Sequence, residues 1–271
     1  MKTLILNITI SILASLLFNS CKDTAQAYLG TYLQPQFDDN SYVPGLNIFG
    51  ILRTDSTGNF NNSFVEIQKV MSAVAEDDSL SVGDVIVTVK RYTLAGETDS
   101  YNFILTNYDS IFSDTYYRPA ISLNTDPGDI FSIECDYPDL PVLTAHTIIP
   151  DKASIVPETY NQTSEGLFFE IKDDSTFYML DVYFYKHNTL IASNRYATET
   201  GINTSVDVPL TSIKIDSVVI YSYDYNMAKY CLSSNTSLNF NKYRNSFSTV
   251  DNGYGVFGSL NKIGIRLDSL K

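Results

Sequence analysis

The stretch Asp84–Tyr92 (DVIVTVKRY) is the strongest constraint on the fold. It places Val85, Val87 and Val89 on one side of an extended chain and Ile86, Thr88 and Lys90 on the other. Period-two alternation of β-branched residues suits a pleated strand with one buried face, whereas a helix would scatter these residues around its axis. The same pattern recurs along the chain, with β-prone runs at Leu46–Leu52, Phe64–Val70, Tyr101–Thr106, Ile130–Tyr137 and Val142–Ile149. Between them lie Asp55-Ser56-Thr57-Gly58, Gly96-Glu97-Thr98-Asp99 and Asp126-Pro127-Gly128-Asp129, all rich in turn-forming residues. Strands spaced in this way over residues 46–150 predict an immunoglobulin-like β-sandwich.

Pro150 and Pro157 bound a segment without amphipathic period, which reads as a linker. A second β-rich domain is expected over 151–271. Leu167–Ile171 and Phe177–Lys186 read as a hairpin around Asp173-Asp174-Ser175-Thr176, followed by runs at Leu190–Tyr196, Ser205–Leu210 and Ile215–Tyr223 and a closing strand at Ile263–Leu267. Met227, Tyr230, Cys231 and Ser234 stand at helical spacing, so one short helix is expected over Tyr225–Ser234. The predicted fold class is mainly β.

The first twenty residues follow different rules. Lys2 precedes an apolar run, Leu4–Phe18, that ends at Asn19-Ser20-Cys21. A membrane-crossing helix needs about 20 mainly apolar residues, so this run has the anatomy of a signal peptide instead. Cys21 behind the small Ser20 resembles the lipobox of bacterial lipoproteins, whose cysteine receives several acyl chains. Each buried CH₂ contributes about 0.8 kcal/mol, so several chains anchor stably where one is marginal. Phe18 and Asn19 depart from the usual lipobox. The single acid Asp23 just past Cys21 resembles the surface-export signal of Bacteroidota lipoproteins, which usually carries two or more acids, whereas here Lys22 precedes it and Thr24 follows. Residues 21–45 are expected to be the lipidated cysteine and its tether.

At 44% hydrophobic and 18% charged residues, the chain is globular in composition. Twenty Tyr and fifteen Phe with no Trp favour strands. The formal net charge is −13, and removal of the leader takes away only Lys2 among charged side chains. So acidic a chain is repelled by nucleic-acid phosphates and anionic lipid head groups, which excludes nucleic-acid binding and leaves membrane attachment to lipid.

Little in the sequence points to catalysis. His146 and His187 lack a second His, Cys or paired acid at ligand spacing, and no HExxH or GxSxG pattern occurs. No catalytic residue, metal or other cofactor is expected. Asp38-Asp39, Asp77-Asp78 and Asp173-Asp174 do not fit the twelve-residue calcium loop and read as solvated turn acids. Cys135 and Cys231 lie in different predicted domains; an export compartment permits a bridge, and two free thiols are the simpler reading.

One stretch carries more information. Phe177–Tyr185 (FYMLDVYFY) sets Tyr178, Leu180, Val182 and Phe184 on one face and Phe177, Met179, Asp181, Tyr183 and Tyr185 on the other. If the first face is core, Tyr183 and Tyr185 are candidate ligand-facing aromatics for a sugar or peptide. The alternative is that both faces are buried. A further pattern, Asp-Ser/Thr before a methyl-bearing residue, resembles the O-glycosylation acceptor of exported Bacteroidota proteins and makes Thr24, Ser79, Ser110 and Ser217 candidates. Asp-Ser also favours turn starts.

Three stretches resemble one family in order. Ser81-Val82-Gly83-Asp84-Val85-Ile86-Val87 begins its alternating strand. Pro127-Gly128-Asp129-Ile130-Phe131, leading to Leu143-Thr144-Ala145-His146-Thr147-Ile148-Ile149-Pro150, resembles the close of its first domain. Gly253-Tyr254-Gly255-Val256-Phe257-Gly258 resembles its carboxyl-terminal signature. The chain is thus similar to lipoprotein family 4249 of Bacteroidota, a family of unknown function, although Phe131 replaces its usual Tyr. The resemblance implies an accessory role beside TonB-dependent outer-membrane receptors and carries over no catalytic residue. Independently of any ligand, Gly253, Gly255 and Gly258 around Val256 and Phe257 read as a structural closure, because no helix start follows to bind phosphate.

The expectation is therefore an outer-membrane lipoprotein anchored by Cys21, on the cell surface or alternatively facing the periplasm. It acts as a non-catalytic binding or accessory module of a TonB-dependent uptake system. A fimbrillin-like structural subunit or adhesin is the alternative.

Overall fold

The computed structural model describes residues 44–54, 62–70, 82–93, 96–107, 115–174, 176–198, 201–209, 214–233 and 248–270, all within one compact unit. Cys21 with its leader, Thr24, Ser79, Ser110, the turn at 55–58 and the acid pairs at 38–39 and 77–78 lie outside the described residues.

The first half contributes β1 (Leu46–Arg53), β2 (Phe64–Lys69), β3 (Ile86–Thr93), β4 (Gly96–Asn107), β5 (Thr115–Pro119), β6 (Ile130–Asp136) and β7 (Leu143–Ile148). The second half contributes β8 (Ile155–Gln162), β9 (Gly166–Ile171), β10 (Met179–Lys186), β11 (Thr189–Ala197), β12 (Thr204–Pro209) and β13 (Ser217–Tyr223). The helix α1 (Tyr225–Ser233), β14 (Val250–Asp251), β15 (Gly253–Arg266) and a 3₁₀ turn at Leu267–Leu270 complete it. Among the described residues the protein is mainly β with one α-helix, as its alternation and aromatic content favour.

In β3, Val87 and Val89 are buried with the preceding Val85, while Ile86 points out at 67% exposure. Repeated over the first half, this alternation builds a core from Leu46, Ile67, Val89, Phe103, Tyr117, Phe131 and Ile133, among others. The strands around it form one unbroken ladder, β15-β1-β2-β5-β4-β3-β6-β7-β14. An immunoglobulin-like arrangement would divide these strands between two sheets. Here β14 pairs with β7 at one end of the ladder, and only Asn252 separates β14 from β15, which pairs in parallel with β1 at the other end. The ends of the ladder thus meet through a single residue, held at φ 58.

The second half is two-layered. The three-stranded sheet β12-β9-β8 presents Leu167, Phe169, Ile171, Val206 and Val208 to Leu180, Val182, Phe184, Val218 and Ile220 of β10 and β13, closing a second core. The last strand belongs to both halves. Residues 253–260 of β15 pair with β1 and residues 260–266 pair with β13.

Several local expectations change. The expected hairpin at Asp173–Thr176 is a crossing between sheets, because β9 pairs with β8 and β12 while β10 pairs with β11 and β13. Both strands are apolar on the face that meets the shared core, which their sequences cannot distinguish from facing each other. The Pro150–Pro157 linker ends early, since β8 begins at Ile155. Pro157 is tolerated there because β8 is an edge strand with an irregular register, so its missing N–H interrupts little. Gly96–Asp99 lies inside β4 rather than in a turn. The Asp126–Asp129 turn forms as expected, with the Asp129 N–H donating to the Asp126 carbonyl at 3.1 Å and Gly128 at φ 84. Arg91 secures it from β3, pairing with Asp129 at 2.8 Å and Asp126 at 3.0 Å.

Candidate functional site

The two faces of β10 separate as its alternation requires. Leu180, Val182 and Phe184 are fully buried in the second core, and Met179, Asp181, Tyr183 and Tyr185 turn to the opposite, outer face. Tyr178, expected with the first set, precedes the strand and is exposed. Met179 and Asp181 are buried on the outer face, whereas Tyr183 and Tyr185 are half-buried. Neither full burial nor full display describes the two tyrosines.

Register assembles the rest of this face from distant sequence. Asp181 lies opposite Arg195 of β11 and Tyr221 of β13, and Tyr221 lies opposite Lys262 of β15. In the next row Tyr183 faces Ser193 and Val219, and Val219 faces Gly264. In the third row Tyr185 faces Ser217, and Ser217 faces Arg266.

Electrostatics fix the floor. Arg195 grips Asp181 through two parallel bonds, Nε to Oδ1 at 2.7 Å and Nη2 to Oδ2 at 2.8 Å. Such forked, charge-assisted pairs fix geometry as well as energy. The Tyr223 hydroxyl adds a third bond to Oδ2 at 3.0 Å. The bond to Asp181 raises the Arg195 guanidinium above its ordinary value, and burial followed by the nearby Asp181 charge does the same for the Tyr223 phenol. Both groups stay protonated at neutral pH. Tyr183 meets Tyr221 edge-on, with ring centroids 5.5 Å apart at 78°. Arg53 and Lys262 sit over the Tyr221 ring at 5.9 and 5.7 Å.

Beside this surface, α1 lies on β15 and β1 and closes a third apolar cluster of Ile51, Met227, Val256 and Leu260. An aromatic string continues outward from Tyr230 through Phe49 and Phe64 to Tyr116. Gly258 permits this packing, since a Cβ there would meet the Met227 Cβ at 2.9 Å. Of the other two signature glycines, Gly253 lies against the Leu143 side chain and Gly255 adopts φ +102, while Val256 and Phe257 are fully buried. The closure reading of this segment holds.

The remaining candidates are scattered. His146 is exposed on β7, and its carbonyl accepts a bond from Asn226 Nδ2 at 2.7 Å. His187 and Asn188, both at positive φ, form the turn between β10 and β11, where Asp216 accepts the His187 N–H at 2.9 Å. Asp173 and Asp174 cap local backbone, accepting from the N–H groups of Gly201 and Thr176. Ser217 is half-buried within β13, between Tyr185 and Arg266. Among the described residues, no group of three or more His, Cys, Asp or Glu is placed to hold a metal ion. Among the described residues neither Cys135 nor Cys231 is in a disulfide; burial in the first core pushes the Cys135 thiol up to about 12, so it stays protonated.

No known protein-family model matches this chain, and no curated protein matches it. The site must speak for itself.

Alternation within one strand singles out Tyr183 and Tyr185 in the sequence and sets Asp181 on the same face. It misses Arg195, Tyr221, Lys262 and Gly264. Alternation in Ile215–Tyr223 does group Tyr221 with Tyr223, but only register brings them to β10.

Proposed function

We propose that this chain is a non-catalytic binding or accessory module, a lipoprotein held in the outer membrane by acylated Cys21 and turned to the cell surface, serving a TonB-dependent uptake system. The observation that carries this reading is the outer face of β10, β13 and β15. Tyr183 and Tyr185 are half-buried there, Tyr183 packs edge-on against Tyr221, and the Asp181–Arg195–Tyr223 network lies beside them, an arrangement suited to contact more than to chemistry. The leader and Cys21 support the anchor, and the acidity of the chain makes lipid the means of attachment. The resemblance to lipoprotein family 4249 supports the receptor partner.

A fimbrillin-like subunit fits less well. Strand exchange needs a strand that can leave, and among the described residues β15 is hydrogen-bonded to β1 along one part and to β13 along the other.

Crosslinking in native outer membranes followed by purification of this chain tests the proposal. Recovery of a TonB-dependent receptor is expected; a ladder of self-multimers would replace it with the structural-subunit reading. The anchor has its own test. Cys21→Ala should release a folded, mainly β protein into the soluble fraction, as read by fractionation and circular dichroism, and a variant still held in the membrane would overturn it.

A further inference from the structure

We infer that the outer face of β10, β13 and β15 is a binding site for an acidic saccharide, with one sugar ring seated over Val219 and Gly264 between the side chains of Lys262 and Arg266. The inference deepens the binding-module reading and rests on it.

The shape comes from register. In the middle row, Tyr183, Val219 and Gly264 stand side by side across three strands. Neighbouring strands lie about 4.8 Å apart and successive same-face residues about 6.8 Å apart. A row ending in Val219 and a glycine therefore leaves a notch of roughly one pyranose ring beside the taller Tyr221–Lys262 row and before Arg266. A Cβ added at Gly264 meets nothing within 4 Å, so the space above it is open. Tyr221 and Lys262 wall the notch on one side, Arg266 bounds it on the other beyond the small Ser217, and Tyr183 closes its end.

The chemistry of the walls selects the occupant. Tyrosine rings offer flat apolar faces to the C–H faces of a sugar and hydroxyls to its oxygens. Charge refines the class. The chain carries −13, yet the described outward-facing residues of β10, β11, β13 and β15 include Arg195, Lys262 and Arg266 against one carboxylate, Asp181. That carboxylate is already bound by Arg195 at 2.7 Å. A locally cationic, aromatic notch on an acidic protein complements a sugar bearing a carboxylate. The acidity elsewhere repels such a polymer, which confines its contact to this face.

The test uses the full-length chain in detergent and calorimetric titration with short oligogalacturonates. Binding is expected, with the uncharged oligogalactose of equal length at least tenfold weaker. Gly264→Gln should weaken binding at least tenfold by filling the notch, with an unchanged melting temperature because its side chain enters open space. Tyr183→Ala should weaken it to a similar extent. No binding, binding unchanged in both variants, or equal binding by polyphosphate would overturn the inference. Tighter binding of an acidic peptide at the same residues would overturn the saccharide class. Recovery of a receptor by crosslinking needs no saccharide, so the two proposals fail separately.

Discussion

Gly255→Ala should destabilise the protein by about 4 kcal/mol or more, a size reached only when a substitution breaks something specific. For a chain of this length the melting temperature should fall by roughly 10 °C. Two costs combine. Gly255 adopts φ +102, a conformation in which an L side chain is strained by about 1–3 kcal/mol. An alanine Cβ would also stand 1.9 Å from the carbonyl oxygen of Ile48, its partner in the parallel ladder, and 2.9 Å from Asn47 Oδ1. Asn47 Oδ1 is the end of a side chain that can turn aside, but the Ile48 carbonyl is the backbone of β1 itself and cannot. Thermal unfolding of the variant against the parent measures the effect, and a loss below about 1 kcal/mol would show that the ladder tolerates separation there. Gly264→Ala is the internal control. It lies on the same strand with open space above it and should be close to neutral.

The effect should be global because of where β15 runs. Its first part closes the ladder around the first core through Phe257, its middle supports α1 through Val256 and Leu260, and its last part joins β13 over the second core. Displacing the strand at position 255 loosens the element that all three clusters share.

This strand also shows how far the sequence could be read. Asp84–Tyr92, Phe64–Val70 and Leu167–Ile171 are legible because each alternates against a single core, and burial follows the pattern residue by residue throughout β9 and as far as Lys90 in β3. The helix was legible from Met227, Tyr230 and Cys231. What local pattern omits is partnership. Thr115–Pro119 is too short and polar to announce β5, and Val250–Asp251 is a strand only because β7 offers it two pairing positions. Glycines in Gly253–Gly258 look like a break, yet they continue one strand because β1 and α1 approach too closely for any Cβ. The site divides in the same way. Asp181, Tyr183 and Tyr185 were visible within one strand, whereas the pairing that sets Tyr183 beside Val219 and Gly264 joins residues far apart in the chain.

Asp224 should set a pH dependence of the opposite sense to that of a salt-bridged carboxylate. It caps α1, accepting the Met227 N–H at 2.9 Å, and it also accepts the Ser259 N–H at 3.1 Å and the Thr147 hydroxyl at 2.6 Å. Helix, last strand and β7 are thus tied by one buried side chain, and Asn226 and Asn261 reinforce the junction by donating to the carbonyls of His146 and Pro150. The three donors favour the carboxylate, but burial outweighs them and raises its pKa from 3.8 to about 6. Between these values the folded protein keeps a proton that the unfolded chain has released. Its contribution to stability is therefore greatest below the unfolded value, declines as pH rises toward 6 with a slope approaching about 1.4 kcal/mol per unit, and is flat above. Asp224→Asn keeps an oxygen for the two N–H groups and turns its amide to the Thr147 oxygen, so it removes the titration while preserving the cap. Urea unfolding at a series of pH values should show the difference between Asn variant and parent shifting toward the variant from pH 4 to 6. A constant difference would mean that Asp224 is ionised throughout and that its donors prevail over burial. Asp224→Ala should instead cost about 3 kcal/mol at neutral pH, because it removes the cap, leaves the Ser259 N–H buried without its acceptor and leaves the Thr147 hydroxyl only the Ser259 Oγ at 3.1 Å.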